Sequence, residues 1–282
     1  MSYKTILTHI DSFESTEMVV EQAVAIAKAN EAHVIGLAPS GFASLPAGDY
    51  FGTSARYINE IQTELDEAAK QAAAAFEKRC RALDFDGFEA RLFQESVVAS
   101  LIEHAAFADL IVLSQPNDDV TRSSAGPGLV GDLLMEAGRP VLVVPNERKQ
   151  TADFDRVVVA WDGSRQAGRA IIDAMPLLKA AKTVDITLVN AGEKKSKFAA
   201  RHGQEPGADV GAFLARHGVN TNVRQVVTNI AVSDALLNDI GESEADLLVM
   251  GGYGHSRFRE WVLGGTTRAI LDGMSVPVLM SH

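Results

Sequence analysis

The chain lacks the features that mark secreted and membrane proteins. Its 282 residues include one cysteine, Cys80, so no disulfide can form within the chain. Disulfide-poor proteins are typical of reducing compartments, and we therefore expect a cytoplasmic location. No apolar run reaches the roughly 18 residues that a membrane-spanning helix needs. The first residues lead directly into a strand-like run, so we expect no signal peptide.

Motifs of common catalytic sites are also missing. None of the seven histidines has His-Glu-x-x-His spacing, and no Gly-x-Ser-x-Gly sequence occurs. Positive charge is scarce as well. Residues 1–150 hold 22 acidic and 12 basic residues, and residues 151–282 hold 15 and 14, within a net charge of −11. This balance repels polyanions and argues against nucleic acid as a partner.

The chain does contain a glycine-rich segment near its end. An apolar run at 247–250 precedes it and a helix-like stretch at 268–271 follows it. Between them stand Gly251, Gly252, Gly254, Gly264, Gly265, Thr266 and Thr267. Glycine lets the backbone pass close to a ligand, and a helix start offers unpaired N–H groups that suit phosphate. The segment fits neither the P-loop nor Gly-x-Gly-x-x-Gly. Its pattern predicts a nucleotide held by main-chain amides.

The two halves of the chain repeat each other. Residues 108–113 align with 245–250 without a gap, and 140–142 align at the same offset with 277–279. The first apolar run of each half closes with an aspartate, at Asp11 and Asp162. A polar linker at 146–153 separates the halves, so we expect two domains, 1–147 and 153–282.

Each half alternates apolar runs with helical stretches, which indicates an α/β fold with a parallel sheet covered by helices. We predict strands near 4–10, 33–37, 88–93, 110–114, 141–144, 156–161, 184–190, 222–227, 247–251 and 278–280. Pro176 should bend the helix predicted near 164–181.

These patterns resemble the ATP-binding subgroup of the universal stress protein (UspA) family, in a tandem form. The resemblance implies two doubly wound domains, each a five-stranded parallel sheet of order 3-2-1-4-5. It also implies that ATP or another adenine nucleotide, with Mg²⁺ as a plausible companion, binds at the strand ends of the second domain. The residues that it assigns to the nucleotide are Asp162 and the backbone at Ala191 for base and ribose, and Gly251, Gly254, Gly264, Gly265 and Thr266 for the phosphates. One departure is Gly265, which stands where the family commonly has serine or threonine.

The first half departs further from this pattern. Residues 114–117 read Ser-Gln-Pro-Asn where the second half has 251–254, and Pro127 stands in place of Gly264. Proline removes an N–H donor, and Asp118 and Asp119 add negative charge. We expect this half not to bind ATP in the same manner.

The resemblance implies a nucleotide-binding regulatory protein of the stress response, with at most weak ATP hydrolysis. It also implies that the strands at 140–144 and 277–280 pair the two domains within one chain, and a homodimer of whole chains is compatible with this. Two alternatives stay open. A slow ATPase or nucleotide-dependent transferase would have only Asp162 and His255 to use, and a nucleotide-free interaction scaffold would use the glycines merely to shape a loop.

Overall fold

A computed structural model describes residues 2–11, 15–41, 55–116, 128–146, 153–191, 205–253 and 265–282. Its chain divides into two compact units, Tyr3–Ala137 and Gly138–His282, the second together with Met1–Ser2. We call them the amino-terminal and the carboxyl-terminal unit. Among the residues just given, no helix is long and apolar enough to cross a membrane.

Among its described residues, the amino-terminal unit alternates four strands with four helices. Its elements are β1 (Thr5–His9), α1 (Ser15–Asn30), β2 (His33–Pro39), α2 (Ala55–Ala82), β3 (Phe88–Phe93), α3 (Val97–Ala105), β4 (Leu110–Ser114) and α4 (Leu129–Glu136). The strands are parallel and lie in the order β3-β2-β1-β4. The apolar residues of β1 and β4 are buried, as expected for parallel strands covered on both faces.

The carboxyl-terminal unit holds the remaining elements. They are β5 (Val141–Val144), β6 (Arg156–Ala160), α5 (Arg165–Asp173), α6 (Met175–Ala180), β7 (Thr183–Val189), α7 (Ala208–Arg216), β8 (Thr221–Val226), α8 (Val232–Ser243), β9 (Leu247–Gly251), α9 (Gly265–Gly273) and β10 (Val278–Ser281). The strand order is β5-β10-β9-β6-β7-β8. Strands β6 to β10 are parallel, whereas β5 runs antiparallel to β10.

The α/β fold class is confirmed, and β6 to β10 have the predicted order 3-2-1-4-5. The helix expected near 164–181 is interrupted as Pro176 predicts, because α5 ends at Asp173 and α6 starts at Met175. The compact units divide before β5, earlier in the chain than the linker at which the sequence places the domain boundary, since β5 pairs with β10.

The repeated Ala-Asp-Leu sequence has a structural role at the amino ends of the strands. Asp109 Oδ2 accepts hydrogen bonds from the backbone N–H groups of Lys4 (2.7 Å) and Thr5 (2.9 Å). Asp246 Oδ2 accepts one from Arg156 N (3.0 Å). Asp109, just before β4, therefore ties down the start of β1, and Asp246, just before β9, ties down the start of β6, each far along the chain.

Two buried polar features belong to the core. Cys80 on α2 is fully buried, and desolvation raises the pKa of its thiol to about 12, so it is not a reactive thiolate. On the other unit, Asp239 of α8 is 3% exposed and pairs with Arg224 Nη1 at 2.8 Å. Thr187 Oγ1 donates to Asp239 Oδ2 at 2.6 Å, so one carboxylate joins α8 to β7 and β8.

Candidate functional site

The carboxyl ends of β7, β6 and β9 form one edge of the sheet in the carboxyl-terminal unit. Strand β6 pairs with β7 on one side and with β9 on the other. The chain leaves β6 towards β7, so the strand order reverses between β6 and β9, which is where open α/β sheets bind ligands. Predicted site residues follow all three strand ends, and α5 and α9 both begin at this edge.

Asp162 lies at the first of these strand ends. It is exposed, and its Oδ1 accepts a hydrogen bond from Ser164 N at 2.9 Å across Gly163, which has φ +65°. Ser164 is the N-cap of α5, since its Oγ accepts from Ala167 N at 3.1 Å. The serine thus performs the capping, and the Asp162 carboxylate faces solvent at the edge.

Asn190 and Ala191 follow β7 at the second strand end. Asn190 has φ +53°, and its side chain forms two hydrogen bonds with the backbone of Thr228, from Nδ2 to O (3.0 Å) and from Thr228 N to Oδ1 (2.9 Å). This reciprocal pair fixes the backbone that leads into Ala191, which is 2% exposed. Sequence reasoning missed Thr228, because its role depends on a contact between chain segments that no local pattern reveals.

Gly251 ends β9 at the third strand end, and the structure gives a packing reason for this glycine. A Cβ at this position would lie 2.6 Å from Ala167 N and 2.7 Å from Gln166 C. The first turn of α5 therefore lies directly against the end of β9. The predicted contact of Gly251 with phosphate stays a prediction beside this packing role.

The backbone beyond Gly251 is tied to the last strand and to α9. Gly252 N donates to Ser281 O at 2.9 Å, which extends the pairing of β9 with β10. Tyr253 has φ +55°, and its N–H donates to Thr267 Oγ1 at 3.4 Å. Thr267 is 4% exposed, so its hydroxyl is used inside the protein.

The first turn of α9 is open on its outer side. A Cβ added at Gly265 meets no atom of the described residues within 4 Å, and Thr266 is exposed. The resemblance assigns Thr266 to the phosphates, and the structure leaves Thr266 exposed, whereas Thr267 is buried. The predicted Gly254 and Gly264 lie outside the described residues.

Charge at this edge comes mainly from backbone. The N-termini of α5 and α9 carry partial positive charge. Arg268, in the first turn of α9, is held near Asp272 at 3.6 Å. In the described part of the chain, no three His, Cys, Asp or Glu side chains are grouped so that they could hold a metal ion. The arrangement suits an anion bound by amides and hydroxyls.

Comparison with known proteins assigns this part of the chain to a family. Residues 153–282 match the model of the Universal stress protein family. The carboxyl-terminal half is a universal stress protein domain.

The curated relative Universal stress protein Slr1230 of Synechocystis sp. is 29% identical to this chain over 155 residues. The match covers 52% of this chain and 48% of the relative, so it spans about half of that protein's length.

Solved structures resemble more of the chain. A universal stress protein from Archaeoglobus fulgidus DSM 4304 superimposes with a TM-score of 0.68 at 20% identity, over 98% of this chain and 97% of its own. A functionally unknown protein from Pseudomonas aeruginosa PAO1 gives 0.60 at 14% identity, over 99% and 92%. At these identities the likeness establishes the fold, an α/β architecture shared with universal stress proteins.

The corresponding edge of the amino-terminal unit differs from that of the universal stress protein domain. Asp11 Oδ1 accepts a hydrogen bond from Thr16 Oγ1 at 2.6 Å, so this carboxylate is engaged by α1. Helix α4 begins after Gly128 and carries Asp132 in its first turn. Burial raises the pKa of Asp132, with a smaller contribution from Glu136. Residues 117–127, which include the predicted departures Pro127, Asp118 and Asp119, lie outside the described part.

Proposed function

We propose that the universal stress protein domain binds ATP, or a closely related adenine nucleotide, at the carboxyl ends of β6, β7 and β9. The observation that carries this proposal is the open first turn of α9. No atom of the described residues lies within 4 Å of a Cβ built on Gly265, and Thr266 is exposed, beside a strand end at the switch point of the sheet. An anionic group of phosphate size can approach the helix N-terminus there without displacing any described side chain.

Each predicted residue then has a place in the complex. Asp162, whose carboxylate faces solvent at the edge, accepts hydrogen bonds from the ribose hydroxyls or the base. The backbone at Ala191 contacts the adenine. The phosphates bind the main-chain amides and the Thr266 hydroxyl, with the contributing positions being Gly251, Gly254, Gly264, Gly265 and Thr266. When Mg²⁺ accompanies the nucleotide, it completes its shell with phosphate oxygens and water, because no dedicated cage occurs among the described residues.

The proposal extends to the role of the whole chain. We regard it as a tandem protein of the cytoplasmic stress response, in which the first domain has a degenerate nucleotide site and serves as a fused partner of the second. The antiparallel pairing of β5 with β10 lies within the carboxyl-terminal unit and satisfies strand edges that would otherwise be exposed. Nucleotide occupancy of the second domain would then report cellular ATP to a protein partner.

Binding by the purified full-length chain tests the proposal. Ligand released by denaturation should contain an adenine nucleotide by mass spectrometry. Calorimetric titration of the emptied protein with Mg·ATP should give one site per chain, and GTP should bind more weakly because the base is read at Ala191. Absence of both copurified nucleotide and measurable binding would refute the proposal, and two equivalent sites per chain would refute the assignment to one domain.

A further inference from the structure

A concave feature of the carboxyl-terminal unit lies between α5 and α7, and its lining includes Trp161, which directly follows β6. It is a cavity of about 250 Å³. Its lining includes Trp161, Gly168, Ile171, Asp209, Val210 and Phe213. Most of these side chains are apolar, and Trp161 and Phe213 are only half-buried, so their rings border a space that a small molecule can enter. None of its lining residues is among those assigned to the nucleotide, and Trp161 is the direct neighbour of Asp162.

Gly168 indicates that this space is kept open. It lies inside α5, where glycine weakens a helix relative to alanine. Packing does not require it, because a Cβ at Gly168 would meet nothing within 4 Å among the described residues. By contrast, packing does require Gly207 at the start of α7, where φ is +91° and a Cβ would lie 2.7 Å from Val223 Cγ1. The wall at α7 is therefore fixed close to the sheet, and the facing wall at α5 has no side chain at Gly168.

The charged groups among the lining residues indicate which kind of ligand the cavity favours. Asp209, in the first turn of α7, is the ionisable residue among the described residues that line the cavity. On the facing helix, the guanidinium of Arg169 is engaged by Asp173 at 2.8 Å. One carboxylate beside two aromatic rings and an aliphatic wall favours a positively charged, weakly hydrated group.

We propose that the cavity between α5 and α7 binds a quaternary ammonium cation, with the cation at the Trp161 and Phe213 rings and its charge balanced by Asp209.

Trp161 supplies the signal for a direct test. The chain has two tryptophans, so Trp261→Phe leaves Trp161 as the only one. Choline and its uncharged isostere 3,3-dimethylbutan-1-ol are the probes. Titration with choline should change the Trp161 emission with saturation in the millimolar range. The isostere should bind at least about threefold more weakly, the scale of an exposed cation–π contact. Absence of saturable change with choline, or equal binding of the isostere, would overturn the proposal.

Substitutions of residues that line the cavity test whether the change in Trp161 emission arises there. In the Trp261→Phe background, Asp209→Asn should weaken choline binding several-fold and leave the isostere unchanged. Gly168→Leu should fill the cavity and abolish both responses, and Gly168→Ala, which needs less space, should weaken them if the leucine variant does not fold. Circular dichroism checks the fold of each variant. Unchanged choline binding in Asp209→Asn, or in a folded Gly168 variant, would show that the signal arises elsewhere and would refute the assignment.

Discussion

The substitution Gly265→Asp should change nucleotide binding with little effect on folding, whereas substitution of a glycine inside the sheet would affect both. The new carboxylate enters open space, because a Cβ at Gly265 meets no described atom within 4 Å. An acidic residue in the first turn of a helix also interacts favourably with the helix dipole, by about 0.3–1 kcal/mol. The variant should therefore fold, with an unchanged or slightly raised melting temperature.

The same carboxylate stands where we place a phosphate group. Two unit negative charges about 4 Å apart repel by about 1 kcal/mol in water and about 4 kcal/mol at an effective dielectric constant of about 20. Since each 1.4 kcal/mol corresponds to about tenfold in Kd, the affinity for Mg·ATP should fall between about fivefold and about a thousandfold. The penalty should shrink as salt is added, because part of it is screened.

Calorimetry of the full-length variants measures this effect, with two matched controls. Gly265→Asn has nearly the same size without the charge and should lose much less affinity. Gly128→Asp places the same charge at the position that matches Gly265 in the first half, where a Cβ makes only an ordinary 3.7 Å contact with Asp132 Oδ2. It should leave ATP binding unchanged. A folded Gly265→Asp protein that binds ATP normally, or equal losses at both aspartate positions, would contradict the reasoning.

Three further experiments test what stabilises the fold. Gly251→Ala should destabilise the protein in urea by about 1–3 kcal/mol even without nucleotide, because its Cβ would meet the backbone of α5 at 2.6 Å. Arg224→Met should cost about 2–3 kcal/mol in the same assay, since it leaves Asp239 buried without its cation. Burial lowers the pKa of His9 from 6.5, despite the opposing effect of Asp11, so the unfolded chain binds the proton more readily. The part of the unfolding free energy that depends on His9 should therefore be fully present above about pH 6.5 and should fall as the pH drops below that value. His9→Gln should remove this pH dependence from the urea midpoints measured across pH 5–8.

Much of the fold could be predicted because parallel strands buried on both faces read as short apolar runs. Strand β9 is one such run, and its ends were predicted well. The break between α5 and α6 followed from the chemistry of Pro176 alone. The pairing of β5 with β10 followed from no local pattern, and the sequence offered it only through a family resemblance, because pairing depends on where distant segments meet.

The sequence pointed to one sheet edge for the candidate site and to little of its detail. Glycines after β9 predicted the carboxyl edge, since ligands gather beyond the carboxyl ends of strands, and ligand binding there stays a prediction. The reason for Gly251 could not be read from sequence, because the close approach of α5 is a tertiary contact. The burial of Thr267 and its hydrogen bond from Tyr253 N likewise could not be read from the sequence, where the family resemblance alone favoured Thr266. Local spacing cannot distinguish a hydroxyl used for packing from one that faces a ligand.

The matches and the differences between the two repeated halves fall at opposite ends of the strands. Asp109 and Asp246 belong to the best-matched segment, and both hold the amino end of a first strand in place, which is work for the fold. The carboxyl ends carry the differences: Asp11 accepts a hydrogen bond from the Thr16 hydroxyl in one unit, whereas the exposed Asp162 accepts one from the backbone N–H of Ser164 in the other. Residues at the amino ends maintain an architecture that both units need, so they are alike in the two halves. If residues at the carboxyl ends bind the ligand, as we propose, their divergence predicts that the two halves bind different things or that one half binds nothing.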